Sequence, residues 1–347
     1  MTIATDSSRS DGAFAEIVAF LQKPCSYPAP AEVETVETHM SLVFLVGDRV
    51  YKMKKPQRLR FVDFTTLEAR RRNCERELRL NQALAPGVYR DVVAVVRRCD
   101  GGLAIGGAGE PVEWLLVMTR LDDSLLLSAR IASGAAGPED IAGLAELLAR
   151  FYTGSRRIRL TAAEHLEWWV QAIARVEASL RDFTAALAER TVTEALARLH
   201  RLLAEVEVSL AERAAGRRII DGHGDLRPEH VFVGPPLMLL DRLEFDARLR
   251  WVDPFDEAVF LGLECERLGA SWVGPQLVAS LRIRLDDDPP PALLAFYRCY
   301  RACMRASLSI EHLRDARPRT PERWPRQAAE YLDLAFRPSP SGDPPRG

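Results

Sequence analysis

The pattern of apolar and polar positions divides the chain into a strand-rich first third and a helix-rich remainder. Short apolar or alternating runs predict strands at residues 33–38, 41–46, 49–53, 92–96 and 112–118. The Gly47-Asp48 pair between the second and third runs is a two-residue hairpin signal. Thr65 and Glu68 have the spacing of a capping box, which predicts a helix through Leu84. These elements predict a sheet interrupted by one helix.

Helical spacing dominates the chain from Leu121 onward. Apolar residues recur at three- and four-residue intervals in one amphipathic segment: Val192, Leu196, Leu199, Leu203 and Val206. Other helices are predicted at 14–21, at 138–152, from 161, near 254 and 273, and at 292–313. We therefore predict an N-terminal tail and helix at 1–30, a sheet with one helix at 31–118, a helical region at 119–336 and a disordered tail at 337–347.

Composition narrows the class of protein. The 347 residues are enough for two lobes with hydrophobic cores, and 47% hydrophobic with 28% charged residues is ordinary for a globular protein. The net charge of -2 gives no general attraction to nucleic acid or to an anionic membrane. No apolar run approaches the ~18 residues of a membrane span, and the first twelve residues lack an apolar signal core. Six scattered cysteines without a CxxC pair indicate free thiols, so we expect a cytoplasmic protein. Nothing in the sequence predicts the oligomeric state.

One stretch carries the strongest chemical pattern. His223-Gly-Asp225 begins a polar loop that leads into the apolar residues 231–233, and a Gly-Pro-Pro turn and a second apolar run then end at Asp241. Two short strands joined by this turn would place Asp225 and Asp241 at neighbouring ends of one hairpin. That arrangement suits phosphoryl transfer, in which one carboxylate orients and deprotonates the attacking hydroxyl and the other holds a metal ion on the nucleotide phosphates.

With this loop, the chain resembles the aminoglycoside phosphotransferase-like kinases, in particular an uncharacterised bacterial branch. Two further motifs carry the resemblance, which covers residues 14–335: Val50-Tyr51-Lys52-Met53-Lys54-Lys55-Pro56 and Cys74-Glu75-Arg76-Glu77-Leu78. The resemblance implies an α+β, bilobal protein-kinase-like fold with a small β-rich N-lobe and a larger, mainly helical C-lobe. It also implies transfer of the γ-phosphoryl group of ATP or GTP, with Mg²⁺ or Mn²⁺, to a hydroxyl of a small molecule.

The resemblance assigns roles to several carboxylates. Asp225 matches the catalytic Asp of the family, and Asp241 matches the metal-binding Asp, since Mg²⁺ prefers hard oxygen ligands. Glu244, three residues further on, would add a metal contact or face solvent. Asp256 lies in a segment that resembles the family's Asp-Pro-x-x-Asp, where it would brace the catalytic loop.

A lysine and a glutamate would anchor the nucleotide phosphates. Lys52 matches the strand lysine of the family, and Glu77 on the following helix would be its ion-pair partner. Lys54 lies on the same strand face as Lys52, because side chains alternate along a strand, so it stays an alternative. Glu75 is the alternative to Glu77.

Two further places match nucleotide contacts of the family. Residues 38–41 lie where kinases have a phosphate-covering loop; they contain no glycine, and Ser41 would offer its hydroxyl. Residues 118–121 lie where the hinge between the lobes would run, so the backbone of Met118 to Arg120 would meet the adenine edge.

The catalytic loop departs from the family at His230, where an Asn usually binds metal. Imidazole suits softer divalent ions better than Mg²⁺. His230 would therefore bind Mn²⁺ or another transition ion, or a metal site is lost, or the protein is a pseudokinase that binds nucleotide as a regulatory module. A scaffold without a nucleotide site is a third possible function. Some relatives carry a P-loop ATPase domain after the kinase-like part, and the sequence has no P-loop motif.

Overall fold

The structure is a computed structural model that describes residues 5–59, 62–314 and 320–337. The first four residues and the predicted disordered tail from residue 338 onward lie outside this range. The chain divides into two units. Unit 1 comprises Met1–Asp123 and Met238–Asp246, and unit 2 comprises Ser124–Leu237 and Ala247–Gly347. The boundaries predicted from the sequence at 30/31, 118/119 and 336/337 stay predictions.

Unit 1 is built around an antiparallel sheet of six strands in the order β1-β2-β3-β8-β6-β7. Its strands are β1 Val33–Glu37, β2 Ser41–Val46, β3 Arg49–Lys54, β4 Arg58–Leu59, β5 Val62–Asp63, β6 Tyr89–Arg97, β7 Leu103–Ile105, β8 Glu110–Thr119 and, from the second segment, β11 Met238–Leu239. Its helices are α1 Thr5–Leu21, a 3-10 turn Pro24–Ser26 and α2 Leu67–Gln82. The predicted strands and helix are confirmed, whereas the short strands β4, β5 and β7 were not predicted.

Alternation along β3 places its side chains against two different layers. Tyr51 and Met53 face a buried cluster that includes Leu21 of α1, while Lys52 and Lys54 face α2. Helix α2 begins after Thr66, whose side chain accepts a hydrogen bond from the backbone N–H of Ala69. The cap is therefore one residue later than the predicted capping box, because the Thr65 hydroxyl is bound to Asp63 instead.

Unit 2 is mainly helical. Its α-helices are α3 Leu127–Ala132, α4 Pro138–Gly154, α5 Ala162–Asp182, α6 Glu189–Ala215, α7 Pro254–Arg267, α8 Val273–Leu285, α9 Pro291–Glu311 and α10 Arg323–Phe336. Its short strands are β9 Ile220–Asp221, β10 Val231–Phe232 and β12 Trp251–Val252, and its 3-10 turns include Pro228–His230, Ala247–Arg250 and His312–Arg314. Among the described helices, none is long and apolar enough to span a membrane.

The polar loop that begins at His223 lies between β9 and β10. Strand β9 pairs antiparallel with β12, and α7 follows β12 directly with Asp253 as its N-cap. The start of α7 is thereby brought next to the start of the loop. The two apolar runs on either side of the Gly-Pro-Pro turn form the strands β10 and β11, as predicted. The predicted closeness of Asp225 and Asp241 stays a prediction.

Candidate functional site

Lys52 is the centre of an ion-pair network in unit 1. Its Nζ lies 2.7 Å from Oε1 of Glu77 and 3.0 Å from Oδ1 of Asp241. Glu77 is buried, whereas 42% of the Asp241 side chain is exposed. The structure therefore brings together three residues that the sequence assigned to the phosphate and metal site.

Lys54 joins the same network from the next inward-facing position of β3. Its Nζ lies 2.6 Å from Oε2 of Glu77 and 2.8 Å from Oε1 of Glu244, and Lys54 and Glu244 are both buried. The Glu77 carboxylate thus has Lys52 at one of its two oxygens and Lys54 at the other. Glu75, the alternative partner, pairs instead with Arg71 on the exposed side of α2.

Electrostatics keep both lysines charged. Burial lowers the pKa of Lys52, but Asp241, Glu77 and Glu244 together outweigh burial and raise it well above its ordinary value. Burial raises the pKa of Glu244, and the Lys54 ammonium opposes that shift. Two ammonium groups and three carboxylates leave one negative charge in excess. Asp241 is the most exposed of the three carboxylates, so this excess can attract a cation there.

Backbone contacts hold the segment that carries Asp241. Asp241 has a left-handed backbone with φ of 57°, which Asp tolerates better than most residues. Its N–H donates to the Tyr89 hydroxyl at 2.9 Å, and the N–H of Arg242 donates to Oδ1 of Asn81 at 2.8 Å. Asn81 in turn donates to the carbonyl of Glu77 at 2.9 Å, so α2 positions both carboxylates.

The other predicted nucleotide contacts make different interactions. Ser41 is buried, and its backbone N–H donates to the Thr38 hydroxyl at 2.9 Å to close a tight turn. Met118 lies in β8 in register with Val50. Arg120 donates its backbone N–H to the carbonyl of Asp48 at 2.8 Å, and its side chain pairs with Glu34 at 3.3 Å. These contacts do not bring Ser41 or Arg120 into the Lys52 network.

In unit 2, a buried carboxylate braces the polar loop that begins at His223. Oε1 of Glu257 accepts a hydrogen bond from the N–H of Gly224 at 2.5 Å, and the N–H of His223 also donates to Glu257. Gly224 has φ of 90°, a conformation that favours glycine. Asp256 was predicted to brace this loop, and that stays a prediction. Asp256 makes a two-pronged pair with Arg301 of α9 at 2.8 and 2.6 Å, because one residue along a helix turns the side chain to another face.

Asp225 lies beside a guanidinium group. Arg227 donates from Nε to Oδ2 of Asp225 at 3.1 Å, and its Nη1 lies 2.7 Å from Oε1 of Glu229. Burial raises the pKa of Asp225, but Arg227, followed by His230, Arg305 and His223, outweighs burial and lowers it. Asp225 is therefore ionised at neutral pH, with 32% of its side chain exposed.

His230, predicted as a metal ligand, is engaged at both ring nitrogens. Its Nδ1 lies 2.8 Å from the carbonyl oxygen of Asp225, and its Nε2 lies 3.2 Å from Nη2 of Arg227. The His223 ring stacks on it with centroids 6.0 Å apart.

The carboxylates around Lys52 and Lys54 fit the binding of one divalent ion better than that of several. Within the described part of the chain, no cluster of three or more His, Cys, Asp or Glu side chains could hold a metal by itself. Glu244 is buried against Lys54, whereas Asp241 offers a hard oxygen on a partly exposed carboxylate. Mg²⁺ is commonly held by one or two carboxylates together with nucleotide phosphates and water, and Asp241 fits that manner of binding.

Sequence comparison finds relatives without an assigned function. Uncharacterised proteins of Mycobacterium tuberculosis and Mycobacterium bovis are 34% identical to this chain over 297 residues, which are 82% of this chain and 56% of each relative. The chain thus spans about half the length of the curated relatives it matches. No protein-family model matches the chain.

Structure comparison gives the fold. Plasmodium vivax ethanolamine kinase is 12% identical with a TM-score of 0.52 and covers 97% of this chain and 96% of its own. Spectinomycin phosphotransferase with ADP and spectinomycin is 10% identical with a TM-score of 0.51, over 93% and 97%. A mutant aminoglycoside 2'-phosphotransferase-IIIa with GDP is 18% identical with a TM-score of 0.50, over 92% and 96%. The chain has the fold of the aminoglycoside phosphotransferases. The predicted α+β, protein-kinase-like fold is thereby confirmed.

On this aminoglycoside phosphotransferase fold, some side chains that hold the site had no role in the sequence interpretation. Tyr89 and Asn81 position the Asp241 segment, and Glu257 positions the polar loop that begins at His223. Asn81 is four residues after Glu77 and therefore shares its helix face, which is a usable sequence signal. Tyr89 contacts a residue 152 positions away, and no local pattern indicates that contact.

Proposed function

We propose that the protein is a phosphotransferase that moves the γ-phosphoryl group of ATP or GTP to a hydroxyl group of a small molecule. The observation that carries the proposal is the contact of Lys52 with both Glu77 and Asp241. A half-buried, charged lysine held between two carboxylates on different segments is suited to binding phosphate oxygens. The solved neighbours bound to GDP and to ADP support a nucleotide ligand.

Each residue has a part in the proposed reaction. Lys52 binds phosphate oxygens, and Glu77 orients it. Asp241 would hold a divalent ion, which would neutralise phosphate charge when bound. Asp225 accepts a hydrogen bond from the acceptor hydroxyl. The hydroxyl oxygen bonds to the γ-phosphorus as the bond to the β–γ bridging oxygen breaks, and the nucleoside diphosphate leaves.

The ionised state of Asp225 defines its role. Because its pKa lies below the ordinary range, it is a weak base at neutral pH. It therefore orients the hydroxyl first and takes the proton late, when phosphorylation has made that proton acidic. Such assistance is typically worth about 10²- to 10⁴-fold in rate.

We assign Glu244 to Lys54 and not to a metal ion. Its buried carboxylate is 2.8 Å from the Lys54 ammonium, which itself touches Glu77. In this arrangement Lys54 holds Glu77 when Lys52 turns to the phosphates. Lys52 is then the phosphate-binding lysine, and Lys54 is its support.

A nucleotide-binding regulatory module is the second candidate function. The contact between Arg227 and Asp225 favours it, because a guanidinium at 3.1 Å competes with an acceptor hydroxyl for Asp225. Such a module would bind nucleotide without turnover. Ethanolamine kinase and spectinomycin phosphotransferase among the structural neighbours support a small-molecule acceptor, and hence turnover.

The test measures phosphorylated product by ³¹P NMR with ATP and Mg²⁺ across a panel of amino alcohols, sugars, nucleosides and aminoglycosides. We expect a new phosphate ester with one class, and its formation should fall about 10²- to 10⁴-fold in Asp225→Asn. Asp288→Asn, in an exposed pair with Arg282, is the matched control and should keep activity. ATP binding without any product or ADP release would favour the regulatory module and contradict the proposal.

A further inference from the structure

The catalytic loop of unit 2 presents a histidine whose hydrogen bonds fix its protonation pattern. A carbonyl oxygen only accepts hydrogen bonds, so Nδ1 of His230, 2.8 Å from the Asp225 carbonyl, carries a proton. A guanidinium only donates, so Nε2 of His230, 3.2 Å from Nη2 of Arg227, presents its lone pair to Arg227. With Nδ1 as the donor, the remaining ring lone pair of His230, on Nε2, is directed at a cation.

This pattern does not fit metal ligation by His230. A histidine binds a metal ion through a ring-nitrogen lone pair. His230 would have to release Arg227 to offer that lone pair, and an incoming divalent ion would then lie beside a guanidinium. Mutual repulsion of the two cations opposes this exchange. The predicted role of His230 as a metal ligand is therefore not supported by the residues around it.

Arg227 is held at all three nitrogens by residues of its own loop. Nε contacts Asp225, Nη1 contacts Glu229 and Nη2 contacts His230, at 3.1, 2.7 and 3.2 Å. Pro228 starts the 3-10 turn that carries Glu229 and His230, and a proline restricts the backbone between the partners. A planar guanidinium matched by three acceptors in fixed positions is a pre-organised positive charge.

We propose that Arg227 supplies the positive charge of the catalytic loop in place of a metal ion, that His230 is the positioning residue for Arg227, and that the protein binds its nucleotide with a single divalent ion. The proposal rests on the proposed phosphotransferase function. Arginine stays protonated throughout the physiological pH range, so this charge does not depend on the supply of metal.

A single divalent ion per nucleotide has two consequences for the metal dependence of activity. Activity should depend on the concentration of the divalent ion with a Hill coefficient near one, because a single ion accompanies the nucleotide. Mn²⁺ should have no special advantage over Mg²⁺, since no imidazole nitrogen enters the coordination shell. Both expectations differ from those for a site in which His230 binds a transition metal.

The test uses the full chain with Mn²⁺ and an ATP analogue that has a methylene group between the β- and γ-phosphorus, which contributes no bridging nitrogen. Electron spin echo envelope modulation detects the ¹⁴N of a coordinated imidazole, and an EPR titration counts bound Mn²⁺. We expect one ion per nucleotide, no imidazole ¹⁴N coupling, and the same spectrum for His230→Gln. Two ions per nucleotide, or a ¹⁴N coupling that His230→Gln removes, would overturn the inference.

Two variants test Arg227 itself. Arg227→Met should lower turnover about 10²-fold, as removal of one preorganised electrostatic donor does, with nucleotide affinity unchanged. Arg227→Lys keeps the positive charge and should recover part of the lost turnover. If the role of Arg227 were purely structural, retention of the charge alone would not restore turnover. Equal turnover in the wild type and Arg227→Met would overturn the inference while leaving the phosphotransferase proposal intact. Absence of nucleotide binding to the wild type would instead overturn the proposed function, and this inference with it.

Discussion

Replacing Lys54 with Met is expected to destabilise the protein by about 3–5 kcal/mol at pH 7.5, because removal of one partner leaves a buried ion pair broken. Lys54 lies 2.8 Å from Glu244 and 2.6 Å from Glu77, and all three side chains are buried. Glu77 keeps Lys52 at its other oxygen. Glu244 is therefore the carboxylate that mainly loses its cationic partner in Lys54→Met.

The cost should depend on pH in a defined direction. Burial already raises the pKa of Glu244, and Lys54 is the largest opposing influence. Without Lys54 the folded state takes up a proton that the unfolded chain, with an ordinary Glu pKa of about 4.3, has lost. The unfolding free energy of the variant then falls as pH rises from the Glu pKa of the unfolded chain to the raised pKa of Glu244 in the folded state, by up to about 1.4 kcal/mol per pH unit. The penalty should be smaller at pH 5.5 than at pH 7.5.

Urea titrations at pH 5.5 and pH 7.5 measure the unfolding free energy of the wild type, Lys54→Met and Lys55→Met. Lys55 is the matched control, because it is the next residue and pairs near the surface with Glu37 at 2.6 Å. Its replacement should cost at most about 1 kcal/mol at either pH. An equal penalty for Lys54→Met at both pH values, or a penalty no larger than that of the control, would refute the buried-pair reasoning.

Three further predictions concern the nucleotide and the loop. Lys52→Met should weaken ATP binding about 10- to 150-fold in calorimetry, the value of one charged hydrogen bond, and an unchanged affinity would argue against phosphate contact. Arg227→Met should raise the pKa of Asp225, because Arg227 is the main cation opposing burial; the acid limb of the kcat/KM profile should move to higher pH, and a fixed limb would contradict this. Glu257→Ala should cost about 1–3 kcal/mol for each N–H left without an acceptor, with a smaller loss in Glu257→Gln, as measured by urea unfolding.

The fold could be predicted from local patterns. Alternating apolar positions gave the main strands of unit 1, and three- and four-residue spacing gave the helices of unit 2. The short strands β4, β5 and β7 lack enough residues for a period to emerge. The α2 cap was misplaced by one residue, since both Thr65 and Thr66 can cap a helix and only the contact with Asp63 selects between them.

The candidate site could be predicted only in part. The strand face shared by Lys52 and Lys54 follows from alternation, but their separate roles depend on Glu244, which lies about 190 residues away. The choice between Asp256 and Glu257 depends on the phase at which α7 begins, one residue after its N-cap Asp253. Long-range contacts and helix phase are tertiary properties, so the local sequence does not contain them.

The most direct test of the central claim is a calorimetric titration of ATP into the wild type and Asp241→Ala, each with and without Mg²⁺. We expect saturable binding by the wild type that requires the ion and is lost in the variant, because Asp241, 3.0 Å from the Lys52 ammonium, would hold the ion. No binding by the wild type at millimolar ATP, or equal binding by Asp241→Ala, would contradict a phosphotransferase built on Lys52, Glu77 and Asp241.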